Sequence, residues 1–173
     1  MYKYKPERNP RQAIILVLCL SVLSCAGFSL SLHIDNYRLF AQLIAVLFLA
    51  ISIALVVRYT ITEMEYTISP TDFSVSKTVG NRTTVLCSLD LSTAIALVDK
   101  ETYLHSKEFT DVTIKYNHCQ NIKAQSFIFV YEFNGKKGMI EFEPNTVFIK
   151  IMREAMDNAR KKDKQNGDKQ PTE

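Results

Sequence analysis

The chain has 173 residues and a formal net charge of +3, with five glycines, four cysteines and no tryptophan. So few glycines disfavour a glycine-rich loop that cradles phosphates, and two of the four cysteines fall inside an apolar stretch, which disfavours a disulfide framework. Residues 1–38 hold five basic and two acidic residues. The other 16 of the 21 basic and 16 of the 18 acidic residues lie after residue 38, where their charges cancel. Because a nucleic-acid-binding domain carries its basic excess on the folded part, we expect no nucleic-acid partner.

Two uncharged stretches predict a transmembrane hairpin. The first, Gln12–Leu32, has 21 residues and as a helix would be about 31 Å long, the thickness of a bilayer's hydrocarbon core. The second, Leu39–Val57, has 19 residues, and residues 33–38 form the short link between them. Two core helices of a soluble protein are the alternative, but such helices are seldom apolar on all sides over this length. Neither stretch contains a charged side chain, which disfavours a transporter or channel.

Basic residues predict the orientation of the hairpin. Those that flank the spans on one side are Lys3, Lys5, Arg8, Arg11 and Arg58. The link between the spans has only one, so the positive-inside rule predicts a multi-pass protein of the cell membrane with both termini cytoplasmic and residues 33–38 external. The five flanking residues are also candidates for contacts with anionic headgroups.

A secretory signal is the alternative interpretation of the first stretch, since Val22–Cys25 loosely resembles a lipoprotein cleavage site. Leucine stands two positions before the cysteine, where a small residue is usual, and the apolar stretch continues beyond it. Cleavage is therefore disfavoured. Even after cleavage, the second span would leave the C-terminal side in the cytoplasm.

After Val57 the apolar residues alternate with polar ones, which predicts strands with one buried face. The seven segments are Met64–Ile68, Phe73–Val79, Val85–Leu89, Thr93–Leu97, Val112–Tyr116, Phe127–Phe133 and Ile140–Phe142. Gly80–Asn81 and Asn134–Gly135 predict tight hairpins, the latter because a type I′ turn needs positive φ at both positions. The links at 99–110 and 117–126 are either loops or short helical turns.

The last predicted element is an amphipathic helix. Asn145 is its expected N-cap, directly after Pro144, and apolar residues then recur at intervals of three and four from Phe148 to Ala159. The basic cluster at 160–164 is a weaker candidate for headgroup contacts. The segment from 161 onward holds no large apolar residue, so we expect a disordered tail over 163–173.

The expected fold is therefore an α+β membrane protein, in which a helical hairpin precedes a mainly antiparallel β sandwich or partly open barrel closed by a C-terminal helix. Its predicted divisions are a basic cytoplasmic N-terminus at 1–11, spans at 12–32 and 39–57, the external link at 33–38, the β-rich domain at 58–162, and the tail at 163–173. In the β-rich part we expect the seven strands to pair in meander order, followed by the closing helix.

This layout resembles small bacterial membrane proteins with a pleckstrin-homology-like (PH-like) cytoplasmic domain. The resemblance rests on the strand opening Tyr66–Ile68, the aromatic strand Phe127–Phe133, the hairpin Asn134–Gly135 and the helix Phe148–Met156. Eukaryotic relatives often bind phosphoinositides through basic residues in the first turn between strands. The turn Ser69–Asp72 has none, so phosphoinositide binding is not implied here.

No candidate for catalysis or metal binding survives inspection. His118–Cys119 is the only adjacent pair of metal-ligand types, whereas a structural zinc site needs four ligands, and neighbouring residues of a strand point to opposite faces. Glu141 and Glu143 share a face opposite Ile140 and Phe142, which predicts a solvated face. Lys136–Lys137 at a hairpin tip is expected to be solvated too. We therefore expect no catalytic residue, no metal and no cofactor.

The sequence thus predicts a non-enzymatic, membrane-anchored interaction module. About six residues connect Val57 to the first predicted strand, so the domain should stay against the bilayer, where it meets lipids and an unidentified protein partner. Homo-oligomerisation is left open. The alternative is a small accessory or regulatory subunit whose hairpin packs on a larger membrane complex.

Overall fold

The computed structural model describes residues 1–34, 36–106, 108–109 and 111–167, with side chains as far as residue 161. The chain forms two compact units, one with residues 1–7, 63–120 and those from 124 onward, the other with Arg8–Thr62 and Asn121–Lys123. The elements of the second unit are α1 Arg11–Ser31, α2 Arg38–Val56 and a π-helical turn Val57–Ile61. The elements of the first unit are β1 Tyr2–Tyr4, β2 Thr62–Ile68, β3 Asp72–Val79, β4 Arg82–Asp90, β5 Ala94–Asp99, α3 Lys100–His105, β6 Val112–Asn117, β7 Phe127–Phe133, β8 Lys136–Phe142 and α4 Thr146–Gly167.

The helical unit is apolar on nearly all sides. Both helices are long and apolar enough to cross a membrane. In an apolar 18-residue stretch of each, only 11% of the residues are buried, unlike in the core helices of a soluble protein. Several hydroxyl groups bond within their own helix: Ser21 Oγ donates to the Val17 carbonyl and Ser52 Oγ to the Phe48 carbonyl, both at 2.8 Å. Such bonding within a helix is what apolar surroundings require of polar groups.

Small residues bring α1 and α2 close together. Ser24 Oγ donates to the Ala45 carbonyl at 2.8 Å, and a Cβ placed on Gly27 would lie 3.1 Å from the Ala45 Cβ. Ala45 is fully buried, whereas Ala50 and Ala54 are exposed. The helices therefore pack on each other through Gly27 and Ala45, as small residues allow in apolar surroundings.

The first sheet has the strand order β1-β2-β3-β4. β1 pairs antiparallel with β2, with Tyr2 opposite Ile68 and Tyr4 opposite Tyr66. The sequence pattern placed residues 1–11 in a basic segment and missed β1, because three residues are too few for a periodicity to stand out. The two apolar helices are thus inserted in the chain between two neighbouring strands of one sheet.

The second sheet has the strand order β5-β7-β8-β6. With both sheets described, all seven strands predicted from the alternation are confirmed. The expected meander is wrong at β6, which pairs parallel with β8 instead of antiparallel with β7. β7 is apolar on both faces, with Phe129 and Val130 fully buried, so it takes an interior place. β6 is exposed from Thr113 onward and takes the edge. The connection from β6 to β8 runs through β7, long enough for a parallel pairing.

The main core lies between the two sheets and α4. Its largest fully buried side chains are aromatic: Tyr66, Phe73, Phe129, Phe142 and Phe148. A smaller cluster of Val112, Ile128 and Val130 forms on the other face of the second sheet, flanked by the stacked rings of Tyr103 and Phe109. Both faces of β7 are therefore covered, as its continuous apolar sequence requires.

Two predicted local signals are confirmed. Asn145 Oδ1 accepts a 2.7 Å hydrogen bond from the Phe148 N–H and so caps α4. Asn134 and Gly135 have φ of +50° and +72°, as the hairpin between β7 and β8 requires. The short-helix alternative for 99–110 is realised as α3.

Three expectations fail, two of them at the ends of elements. Val85, which the alternation predicts to be buried, is 61% exposed. The register of the pairing between β3 and β4 shifts between Val75 and Ser76, and this shift changes which residues of β4 face the core. Phe133 closes the aromatic stripe but is also 61% exposed, at the very end of β7. α4 continues to Gly167 into the expected disordered tail, and residues 168–173 of that tail lie outside the described residues.

Candidate functional site

The inner face of β1 contributes aromatic rings to the core of the sheet unit. Tyr2 and Tyr4 are half-buried, with ring centroids 6.0 and 6.1 Å from that of Phe148. Tyr4 also lies 6.3 Å from Tyr66, which is fully buried. Burial, together with the charges of Glu143 and Glu7, raises the pKa of Tyr4. These contacts tie the start of the chain to the core.

The outer face of β1 is basic. Lys3 Nζ lies 3.0 Å from Glu65 Oε1, and Lys5 Nζ lies 3.6 Å from Glu65 Oε2. More than half of each lysine side chain remains exposed, so these pairs contribute little to stability. The alternation of Tyr and Lys over residues 2–5 is the signal that could have identified this strand.

Beyond the end of β1, a buried glutamine side chain bonds to the backbone of β2. Gln120 Oε1 accepts a 2.8 Å hydrogen bond from the Met64 N–H, and the Gln120 N–H donates to Glu143 Oε2 at 2.7 Å. Gln120 is only 2% exposed. The side-chain amide of Gln120 thus provides the hydrogen-bond acceptor that a neighbouring strand would provide at this position of the sheet edge.

The five predicted headgroup contacts divide between the two units. Lys3 and Lys5 lie on the sheet unit, against Glu65. In the helical unit, Arg8 Nη1 donates to the Thr60 carbonyl at 2.6 Å, in the π-helical turn, where a cation complements the negative end of a helix. The Arg58 guanidinium lies 5.7 Å from the centre of the Tyr59 ring. Arg11 is the first residue of α1, so Arg8, Arg11 and Arg58 share one end of the helical pair.

The face carrying Glu141 is not solvated, so the prediction for it is wrong. Glu141 Oε1 accepts hydrogen bonds from Lys100 Nζ at 2.7 Å and from Ser126 Oγ at 2.6 Å, while Asn117 Nδ2 lies 3.2 Å from Oε2. The Glu141 side chain is 11% exposed, because the start of α3 and the residues before β7 cover this part of the sheet. Glu143, in contrast, is half-buried.

The environment of this cluster favours its charged form. Burial raises the pKa of Glu141, but the hydrogen bonds from Lys100 and Ser126, the charge of Lys100 and a hydrogen bond from Cys119 together lower it below its ordinary value. The hydrogen bond to Glu141 raises the pKa of Lys100. The pair is therefore ionised at neutral pH.

The polar groups around Glu141 are bonded to one another. A cavity of about 360 Å³ opens beside Lys100 and is lined also by Asp99, Glu101 and Ser126. Its lysine is held by Glu141, and within the described part of the chain every buried side-chain nitrogen or oxygen has a hydrogen-bond partner. The cluster joins the start of α3, the end of β6 and the residue before β7 to β8.

His118 is half-buried and Cys119 is buried. They follow β6, with the His118 ring stacked 5.8 Å from that of Tyr116, while Cys119 is buried and its N–H donates to Asn117 Oδ1. Among the residues that the structure describes, no group of three or more His, Cys, Asp or Glu side chains could hold a metal ion.

Comparison with known proteins identifies a family model that covers most of the chain. The family model described as Bacterial PH-like domain (DUF6106) matches residues 5–162, which include both apolar helices and β2 to β8. No curated protein and no solved structure matches the chain. The match confirms the PH-like layout expected from the strand pattern and the closing helix.

Proposed function

Because this chain belongs to the bacterial PH-like domain family, we propose that it is a membrane-anchored interaction module whose PH-like unit faces the cytoplasm. PH-like domains are in general non-catalytic interaction modules, and the satisfied cluster around Glu141 supports a role without catalysis. The observation that carries the proposal is the insertion of the two apolar helices between β1 and β2.

This insertion constrains the course of the chain across a membrane. β1 pairs with β2, so residues 2–4 lie on the same side of the membrane as the rest of the sheet. The intervening segment must therefore cross an even number of times, which two helices of spanning length satisfy. Arg8, Arg11 and Arg58 at the end of the helices nearest these strands in the chain favour the cytoplasmic side.

Two connections keep the unit at the membrane. Six residues separate Tyr4 from Arg11, at most about 20 Å of extended chain, and β2 follows the π-helical turn directly. A unit held at both points has restricted freedom to turn away from the bilayer. Its effective concentration toward lipids and membrane proteins is therefore high, so even a weak binding surface would be occupied.

An accessory subunit is the second candidate function. Ala50 and Ala54 lie one turn apart on α2 and are exposed, unlike Ala45, which packs against α1. A helix of a larger membrane complex could approach closely at this pair of small residues. In that role the helices, and not the sheets, would hold the partner.

Crosslinking in intact cells, followed by capture of the tagged protein and mass spectrometry, tests the proposal. The intact chain is compared with a chain that ends after Ile61 and with the full-length variant Ala50→Leu/Ala54→Leu. We expect a stoichiometric partner that is lost from the truncated chain and kept by the full-length variant. A partner retained by the helices alone and lost from the leucine variant would overturn the interaction module in favour of the accessory subunit.

A further inference from the structure

We propose that the edge of β2 covered by β1 is a strand-addition site, and that β1 occupies it as an internal stand-in for a segment of a partner protein. The partner segment is extended, with aromatic side chains at alternate positions and a basic residue between them. The inference deepens the proposed function, on which it rests, by naming the surface and the class of partner.

The contacts that β1 makes define which side chains the site accepts. Tyr2 and Tyr4 place their rings against Phe148 and, for Tyr4, against Tyr66. On the opposite face, Glu65 pairs with Lys3 of β1 and with Lys5, the residue that follows β1. A replacing strand must supply rings to the same aromatic wall and a cation to the same carboxylate, because the buried face would otherwise be exposed and Glu65 would lose its partners.

A longer strand could reach Met64, which lies beyond the part of β2 that pairs with β1. β1 pairs with Tyr66, Thr67 and Ile68. Two residues before Tyr66, the Met64 N–H donates to a side-chain amide, that of Gln120, at 2.8 Å. A partner strand that continues past Tyr66 could take over this donor from Gln120 with a backbone carbonyl.

The internal strand has the properties of a replaceable segment. It has three residues, lies at the edge of its sheet, and its ion pair between Lys3 and Glu65 is largely exposed. Short edge strands with exposed contacts are among the first elements to open. Because β1 is tethered, it competes at high effective concentration, so a free peptide of similar length binds weakly and a longer or membrane-tethered partner segment binds more tightly.

The test measures binding of a fluorescent peptide with the sequence of residues 1–8 to the full-length protein in lipid nanodiscs. In the variant Tyr2→Ser/Tyr4→Ser the internal strand no longer fills the aromatic wall, and we expect the peptide to bind at least tenfold more tightly than to the intact protein. A control peptide with both tyrosines replaced by serine should not bind. Equal, weak binding of both peptides to this variant would overturn the proposal.

A disulfide lock provides a second measurement that does not depend on that variant. Lys3 lies directly opposite Thr67, so Lys3→Cys/Thr67→Cys can fix β1 in place. We expect peptide binding to disappear when the lock is oxidised and to return on reduction. Binding that the lock leaves unchanged would contradict the proposed site.

The locked protein also separates this inference from the proposed function. The partner captured in cells is therefore tested again with the purified protein in nanodiscs, where the lock can be oxidised. If the oxidised protein does not bind this partner and the reduced protein does, the strand-addition site is supported. If the oxidised protein binds a partner that the chain ending after Ile61 does not, the site is wrong while the interaction module stands.

Discussion

Tyr4 lies directly opposite Tyr66 in the first sheet, although both apolar helices stand between these residues in the chain. The first residues of the chain are therefore part of the PH-like unit and not only a charged leader to the first helix. This pairing links the position of the N-terminus, the path through the membrane and the composition of the sheet edge.

The ring of Tyr4 should matter to the stability of the sheet unit. Tyr4→Ala removes aromatic contacts with Phe148 and Tyr66, and we expect a loss of about 2 kcal/mol in the free energy of unfolding. Phe133→Ala, which truncates a 61% exposed ring of the same unit, is the matched control and should cost much less. Thermal unfolding of both full-length variants, followed by near-ultraviolet circular dichroism, checks this. Equal shifts would contradict it.

The Glu141 cluster should contribute stability that depends on pH. Glu141→Gln removes the ion pair with Lys100, and we expect a loss of about 2 kcal/mol at neutral pH. The exposed Glu132, changed to glutamine, is the control and should have little effect.

The direction of the pH dependence follows from the lowered pKa of Glu141. Its contribution is fully present above the ordinary glutamate pKa of about 4.3 and is lost as the pH falls through the lower, folded-state value. The difference between the intact protein and Glu141→Gln should therefore be constant from pH 6 to 8 and shrink in acid. A difference that grows in acid would contradict this assignment of charge.

The side chain of Tyr131 occupies the space above Gly138, where an added Cβ would lie within 3 Å of two ring carbons and the hydroxyl oxygen of Tyr131. Gly138→Ala should therefore displace the ring and destabilise the sheet unit by about 2 kcal/mol. In the Tyr131→Ala background the same change should cost less than half as much, because the obstructing ring is gone. Additive losses in chemical denaturation of the single and double variants would show that the two positions act independently.

The packing of α1 on α2 should be sensitive at Gly27. Gly27→Val places side-chain atoms where Ala45 now lies, so we expect the helices to separate and their backbone amides to exchange hydrogen faster. Ala54→Val, on an exposed position of α2, is the matched control. Hydrogen–deuterium exchange of residues 12–56 in detergent measures both. Unchanged exchange in the Gly27 variant would argue against the close approach of these helices.

The sequence predicts elements that depend on local pattern. Alternation identified seven strands, and the cap at Asn145 and the hairpin at Asn134–Gly135 were evident because each depends on neighbouring residues alone. The family match confirmed the layout that these elements suggested.

Features that depend on distant residues could not be predicted in this way. β1 has only three residues and finds its partner across the entire helical hairpin. β7 is buried on both faces and lies in the interior of its sheet, so β6 lies at the edge. This order depends on how the other elements pack against β7. Glu141 is buried by α3 and by Ser126, although alternation within its own strand predicts exposure.

Site-specific labelling in intact cells tests most directly whether the helices carry both β1 and the rest of the sheet to the cytoplasmic side. Single cysteines are introduced at Asn36, between the helices, at Lys3 in β1 and at Glu101 in α3, each in a full-length background whose native cysteines are replaced. A membrane-impermeant maleimide should label position 36 from outside, and positions 3 and 101 only after the membrane is opened. Labelling of position 3 or 101 in intact cells, with position 36 protected, would contradict the account.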